Sequence, residues 1–519
     1  MRCEYSCVAG REWHPTGDRQ HTARPLDRPT RGEQLMTEAQ TAERVAEPIR
    51  VTALGTAAEG LVHLLPDHDD TTARCGFTDW HSHIICIDWF EERTCPVCLA
   101  DLALDLGAEI PADVLAELDE MAAPWPGRWL LRPREGDRER VVGVCAGPGG
   151  WDEGLEALGA RYDAVGLDLS GDACATAERA GHRRIVIDIT LLDPEHPALR
   201  WTVGVIISPP CPAWSTAGKR AGLTAQSLQV LAAMLRAAGE AAGHGGYRDR
   251  SGMTWAEVRA MAAAMPDPEA GLVAEVLIWA LGLQLHGETL RWVAMEQSAN
   301  LPEEVREAVS FELALAGWSQ QQWAELDAAD YGVATHRRRV FFMAVRYGRI
   351  PGSVRSGLPF AEQTLAAALG WAPGERVNTR GTRGLDTNGR PKGGNTFSAD
   401  KTGWCLTGKA RTWYRESDGY RLTEAEAGQL VGFLPSYPWR ASESTARKDS
   451  RTSAFQRIGD VVCPPVGAVV LGALTGRPWR RPVEDYLGRV YRGAKTTMPV
   501  EVPQQRSMRA PADRLALAA

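Results

Sequence analysis

Residues 141–159, VVGVCAGPGGWDEGLEALG, decide how this chain folds. VVGVC (141–145) is a short apolar run rich in valine, the pattern of a strand buried on both faces. Gly147, Gly149 and Gly150 follow at once, and then a helical stretch through Leu158. Glycines at a strand-to-helix turn let the backbone bend sharply and approach a ligand closely. The next strand and turn, YDAVGLDLS (162–170), places Asp168 roughly 20 residues after the turn, where a carboxylate can accept bonds from ribose hydroxyls. Asp188 ends the third strand, RIVIDIT (184–190), near where a base would lie. By itself the pattern fits either a nucleoside seat or a tight turn between strand and helix.

Outward from this stretch the rhythm continues. ACATAERAG reads as a helix, and VGVIISPP (203–210), WVAMEQS (292–298) and RRVFFMAVR (338–346) read as strands. Strands alternating with helices predict an α/β fold with a doubly wound, mostly parallel sheet. We place this catalytic unit at 138–347, with a helical insertion at about 217–270, and its C-terminal part at 421–476. Residues 348–420, rich in Gly, Thr, Arg and Trp, read as an irregular β-rich unit with basic loops. Residues 1–47 are polar and aperiodic, the composition of a disordered arm. Residues 477–519 read as a fraying tail.

The 519 residues allow two or three domains, and 44% hydrophobic content is enough for a large core. No apolar run approaches ~18 residues without a charge or breaker, so no membrane span is expected. The first residues, MRCEYSCVAGREWHP, lack the apolar region of a signal peptide, and a cytoplasmic location is the expectation. The net charge of −8 decides nothing about nucleic acid, because such an enzyme needs only a basic groove. The eleven cysteines are expected to be reduced thiols, so a close cluster of them points to metal or catalysis.

Two cysteine patterns follow. In ISPPCPAWS, Cys211 sits directly after a strand between Pro210 and Pro212, which stiffen its loop. Most isolated cysteines are inert core residues. The prolines and the upstream glycine turn favour a nucleophile at the carboxyl edge of the sheet instead. At 48–105, His63, Cys75, Cys95 and Cys98 form an H-x11-C…C-x2-C set, with His81, His83 and Cys86 as alternates. Such ligands suit a structural zinc ion, and the segment resembles short zinc-ribbon-like segments. Reduced thiols in a small core remain the other reading.

The motifs in order resemble those of the cytosine-5 DNA methyltransferase family, across about 138–475. CAGPGG (145–150) is similar to its cofactor loop, with Cys145 where Phe is usual, and PPCPAWS (209–215) to its nucleophile loop. EQS (296–298) resembles the ENV element, with Gln297 and Ser298 as departures. YGVATHRRRVFFMAVR (331–346) resembles the YGVPQxRxRVF element, with Thr335 in place of Gln. YRLTEAEAGQLVGF (420–433) resembles the RxLTxxEaarLqgF helix. RIGDVVCPPVGAVVLGAL (457–474) resembles the GNAVPP element, with Asp460 in place of Asn.

The resemblance implies an enzyme that carries a methyl group from S-adenosylmethionine to cytosine C5 in duplex DNA. It implies Ala146, Gly147, Gly149, Gly150, Asp168, Asp188 and Pro210 around the cofactor. Cys211 would attack C6, Glu296 would serve N3, Arg339 would hold the base carbonyl and orient Glu296, and Arg337 would hold a phosphate or the base edge. On a strand Arg337 and Arg339 share one face and Arg338 points away. The 348–420 unit would recognise the target, with Arg380, Arg383, Arg390, Lys392, Lys401, Lys409 and Arg411 available for phosphates. A monomer is expected, and a cognate restriction nuclease is an expected kind of partner. An RNA (tRNA) cytosine methyltransferase and a non-catalytic DNA-binding protein are the alternatives.

Overall fold

The computed structural model describes residues 52–55, 61–65, 84–85, 93–215, 218, 220–243, 250–285, 289–355, 359–379, 383–385, 387–388, 391–392, 396–440, 451–491 and 508–509. The chain divides into two compact units, Met1–Leu115 and Ala116–Ala519.

In the first unit, short strands order as Ile84–Ile85, Thr52–Gly55, Leu61–Leu65 and Arg93–Thr94, and a helix follows over Pro96–Asp105. Cys95 caps that helix with Pro96 in its first turn, and both Cys95 and Cys98 are buried. The CPVC knuckle therefore lies at a strand-to-helix junction. Of the other expected zinc ligands, Cys75 lies outside the described residues and His63 is described only as strand backbone, paired with Leu54. Among the described residues no three His, Cys, Asp or Glu side chains are grouped to hold a metal.

The second unit is built on one sheet. Its strands are β1 (Arg140–Val144), β2 (Asp163–Asp168), β3 (Arg184–Val186), β4 (Thr202–Ile207), β5 (Trp292–Ser298), β6 (Gln320–Asp327) and β7 (Arg338–Val345). They lie in the order β3-β2-β1-β4-β5-β7-β6, and Met508–Arg509 pairs at the outer edge of β6. Strands β1 to β5 run parallel, and β7 runs antiparallel to both β5 and β6. This is the mostly parallel α/β fold that the alternation predicted. Every residue of β4 and β5 is buried, as befits strands covered on both faces.

The chain order along the sheet reverses between β1 and β4, and that reversal positions the site. The two strands pair in parallel with Val144 opposite Ile207, and the Ser208 N–H donates to the Val144 carbonyl. The glycine turn after β1 and the cysteine loop after β4 therefore leave the same edge one strand spacing apart. A crevice at such a switch point is where α/β sheets bind ligands.

Helix α1 (Gly150–Ala157) leaves the glycine turn and packs against α2 (Pro464–Thr475). The contact is close because Gly154 faces the backbone of Gly467 and Ala468. Gly150 is tighter still, since an added Cβ would collide with the Val462 carbonyl oxygen. That collision needs a backbone shift, and overpacking of this kind costs about 1–3 kcal/mol. Gly150→Ala is expected to lower the calorimetric unfolding midpoint by several degrees. An unchanged midpoint would mean that this approach does not hold in solution.

Two stretches, Pro268–Leu285 and Arg451–Thr475, are long and apolar enough to cross a membrane, yet 72% and 89% of them are buried inside the fold. They are core helices, apolar all round because protein surrounds them. The tail corrects the sequence reading. Beyond 476 the chain does not fray at once but forms a helix over Arg480–Val490. Val483, Tyr486, Leu487 and Val490 make its buried stripe. Tyr486 Oη donates to Glu153 on α1, and the Ala334 N–H donates to Tyr491 Oη. The Arg- and Pro-bearing composition hid this spacing.

Candidate active site

The crevice opens into a cleft of about 1070 Å³. Its walls include Ala146, Gly147, Gly150 and Asp168 from one side, Pro210 and Cys211 from the middle, and Glu296, Arg337 and Arg339 from the other. The structure thus brings together most residues singled out in the sequence, drawn from positions nearly 200 apart.

The glycine turn is held by its own acid. Asp168 Oδ2 accepts from the Gly147 N–H at 2.8 Å, and Oδ1 accepts from the Ser170 N–H at 2.8 Å. Gly147 has φ +57° and open space where a Cβ would sit, so a ligand can lie against its backbone. Gly149, at φ +111°, faces Tyr437 and His182 and does not line the cleft. Its role is packing, which departs from the expected ligand contact. Asp188 also departs: Oδ1 accepts from the Thr190 N–H (3.0 Å) and hydroxyl (2.7 Å), and the residue is not on the cleft wall.

Several supporting residues were not legible in the sequence. Buried Arg184 pairs with Asp152 at 2.6 Å and donates to the Gly147 carbonyl at 3.3 Å. Its guanidinium lies where a side chain on Gly166 would stand. Tyr437 donates to the Pro148 carbonyl. Leu169 and Val186 are 72% and 58% exposed at the carboxyl ends of β2 and β3, an apolar flank to the turn. An exposed apolar residue directly after the strand-end acid was the available signal.

Cys211 is reached through Ser208, Pro209 and Pro210. Trp151 Nε1 donates to Ser208 Oγ at 2.7 Å and ties α1 to this loop. Fully buried Trp214 anchors the far side, its N–H bonded to the Cys211 carbonyl. Gln297, where the family has Asn, donates to the Pro209 carbonyl at 3.1 Å. Burial pushes the Cys211 thiol up to about 12, Glu296 adds to this, and Arg339 and Arg337 oppose it.

Glu296 and Arg339 meet because β5 and β7 pair antiparallel. Ser298 is opposite Arg339 and Glu296 opposite Phe341, which sets 296 and 339 diagonally on one face. Arg339 Nε lies 3.0 Å from Glu296 Oε1. Both atoms are buried and satisfy each other as an ion pair rather than as a well-aligned hydrogen bond. Burial pushes the Glu296 carboxyl up, against the pull of Arg339 and Arg337. Arg337 is buried and donates to the Gly459 carbonyl at 2.7 Å, whereas Arg338 turns outward to Glu325. This is the alternation expected of the arginine run.

The other departures from the family pattern also have partners. Thr335 Oγ1 donates to the Leu430 carbonyl at 2.8 Å. Asp460 Oδ2 accepts from Gln456 Nε2 at 2.7 Å, and burial pushes its carboxyl up.

The 348–420 stretch forms a three-stranded sheet of Thr396–Ser398, Arg376–Asn378 and Tyr414–Arg415, with a hairpin of Arg383–Leu385 and Pro391–Lys392. Lys409 and Arg411 reach the cleft wall, and Lys401 is exposed. Arg380 and Arg390 lie outside the described residues, and Arg383 and Lys392 are described as backbone only.

The family model described as C-5 cytosine-specific DNA methylase matches residues 140–241. Among solved structures, the chain is similar to the Entamoeba histolytica methyltransferase EhMeth at 11% identity and TM-score 0.42, over 66% of this chain and 98% of that one. It is similar to the S. pombe Dnmt2 methyltransferase at 13% identity and TM-score 0.41, over 66% and 99%. No curated protein matches the chain. The matched segment runs from β1 through the Cys211 loop into the helix that follows, and over that stretch the chain matches the C-5 cytosine-specific DNA methylase model.

Proposed function

We propose that this protein methylates cytosine at C5 in duplex DNA, with Cys211 as nucleophile. The observation that carries the reading is the shared cleft: a proline-braced thiol between a glycine-lined turn and a buried acid–arginine pair. The residues fit S-adenosylmethionine. Gly147 leaves backbone open to a ligand, and Asp168 faces the cleft. When bound, that cofactor supplies an electrophilic methyl group.

The chain's own residues do the rest. Cytosine is electron-poor at C6 and a weak nucleophile at C5. Thiolate addition at C6 turns C5 into an enamine carbon able to take a methyl group, and loss of the C5 proton then expels the thiol. Only the thiolate attacks. The electrostatics supply a coupling: ionised Glu296 holds the Cys211 proton on, while Arg337 and Arg339 favour its loss. While Glu296 holds the proton that it donates to N3 of the base, the opposing charge is absent and the arginines act unopposed. A carboxyl raised by burial is suited to that donation. Duplex DNA hides the target atom, so the base must be flipped into the cleft. Lys409 and Arg411 at the wall can bind its phosphates.

Bisulfite sequencing of DNA from cells expressing the chain is expected to show new C5 methylation in a fixed context. Unmodified DNA alongside labelled tRNA would give the alternative substrate, and no label in either would overturn the enzymatic reading. A structural zinc held by His63, Cys75, Cys95 and Cys98, a monomeric state and a cognate nuclease remain parts of the proposal.

A further inference from the structure

Trp404 is a large aromatic side chain left 43% exposed, next in the chain to Cys405 on the cleft wall. Its indole stacks on Phe397 with centroids 4.8 Å apart and planes 22° from parallel. Phe397 is buried and meets buried Trp413 edge-on at 5.5 Å. One face of Trp404 is therefore backed by a rigid aromatic stack.

Its place is set from both sides. Gly403 exchanges backbone hydrogen bonds with the loop that leads into Arg337 and Arg339: the Gly403 N–H donates to Ala334 at 2.8 Å, and the His336 N–H donates to Gly403 at 2.9 Å. On the other side, Cys405, Thr407, Gly408 and Lys409 line the cleft. Trp404 does not itself line the cleft, but the chain ties it on one side to the loop of Arg337 and Arg339 and on the other to the wall segment that carries Lys409. An added Cβ at Gly459 would collide with the Gly408 N–H, so this segment is also pressed against the helix carrying Asp460.

We infer that Trp404 is a stacking platform for a base of the opened duplex, resting on the reading of the cleft as a DNA cytosine methyltransferase site. Flipping one nucleotide exposes the π-faces of its neighbours and of the orphaned partner base. An indole braced from behind covers such a face without regard to its sequence, and base-on-aromatic stacking of this kind changes binding by about tenfold to a hundredfold. The role is positioning: Trp404 touches the substrate away from the reacting atoms and stabilises the extruded state.

The test compares wild type, Trp404→Ala and Trp404→Phe on duplexes that carry the methylated context found by bisulfite sequencing. The base opposite the target cytosine is either its Watson–Crick partner or a mismatch, which makes extrusion easier. Trp404→Ala is expected to slow methylation of the matched duplex by about tenfold to a hundredfold, with most of the loss recovered on the mismatched duplex. Trp404→Phe should stay close to wild type. S-adenosylmethionine binding should be unchanged in both variants. Equal loss on matched and mismatched DNA, or no loss, overturns the inference while leaving the methyltransferase reading intact. Absence of methyl transfer by wild type to any DNA overturns that reading, and this one with it.

Discussion

Replacing Cys211 by Ala should abolish methyl transfer, by about four to six orders of magnitude, as for removal of other enzymatic nucleophiles. The size follows from the chemistry. Without addition at C6, carbon C5 of cytosine has no electron pair to offer, so orientation and proximity have nothing to act upon. The variant should otherwise be intact. The thiol makes weak contacts, 3.8 Å from the Pro209 carbonyl and to the Ser298 backbone, and its loop is held by Trp214 and Gln297 instead. Transfer of label from radioactive S-adenosylmethionine to mixed duplex DNA measures the rate, and cofactor binding measures integrity. DNA containing 5-fluorocytosine should give a denaturant-resistant complex with wild type and none with the variant. Label transfer by Cys211→Ala above about one percent of wild type would remove the nucleophile from the mechanism. Failure of wild type to trap on the fluorinated DNA would favour a non-catalytic binding protein.

Glu296→Gln should reduce turnover by about 10²–10⁴, the range for a positioned general acid, and should change Cys211 in the opposite sense. Burial raises the Glu296 carboxyl, so its protonated fraction falls as pH rises through that raised value. The wild-type rate loses this contribution on that side, and the variant, which has no proton to lose there, lacks the limb. The charge of ionised Glu296 also helps hold the Cys211 thiol up at about 12. Glutamine removes the charge while Arg337 and Arg339 remain, so the thiol should ionise more readily. Iodoacetamide labelling of Cys211 at mildly alkaline pH, read by peptide mass spectrometry, should accelerate by roughly tenfold for each pKa unit recovered. Slower turnover with faster alkylation is a paired outcome that general damage to the fold would not produce. If alkylation stays at the wild-type rate, the electrostatic coupling between the two groups is wrong.

Loss of that coupling would leave the fold untouched, because the sheet depends on patterns that are local. VVGVC, the glycines after it and the valine- and isoleucine-rich runs at 184–190 and 203–207 dictate strands and turns from backbone freedom and apolar periodicity. Alternation with helical stretches then restricts the topology to a parallel sheet, whose ligand crevice lies at its carboxyl edge. Cys211 was nameable for that reason, whereas Glu296 and Arg339 were named only through the resemblance of the ordered motifs, which assigns each its role. The alternation of Arg337, Arg338 and Arg339 followed from strand geometry alone.

What the linear chain could not disclose depends on contacts between distant segments. Gly149 and Gly150 look alike in sequence, yet one faces Tyr437 and His182 and the other touches Val462 at the cleft. Asp168 and Asp188 both read as strand-end acids, but β3 stops at Val186, and Asp188 caps the turn that follows, where Thr190 engages it. Arg184 braces the glycine turn only because Gly166 on the neighbouring strand leaves room for its guanidinium. Trp404 carries no sequence signal at all, since only packing decides which of 18 tryptophans stays exposed and where. Local patterning sets each segment's conformation through short-range sterics and the removal of apolar surface from water. Which side chains meet across the cleft, and what charge each can hold there, is decided by burial and register that exist only once the sheet has closed around them.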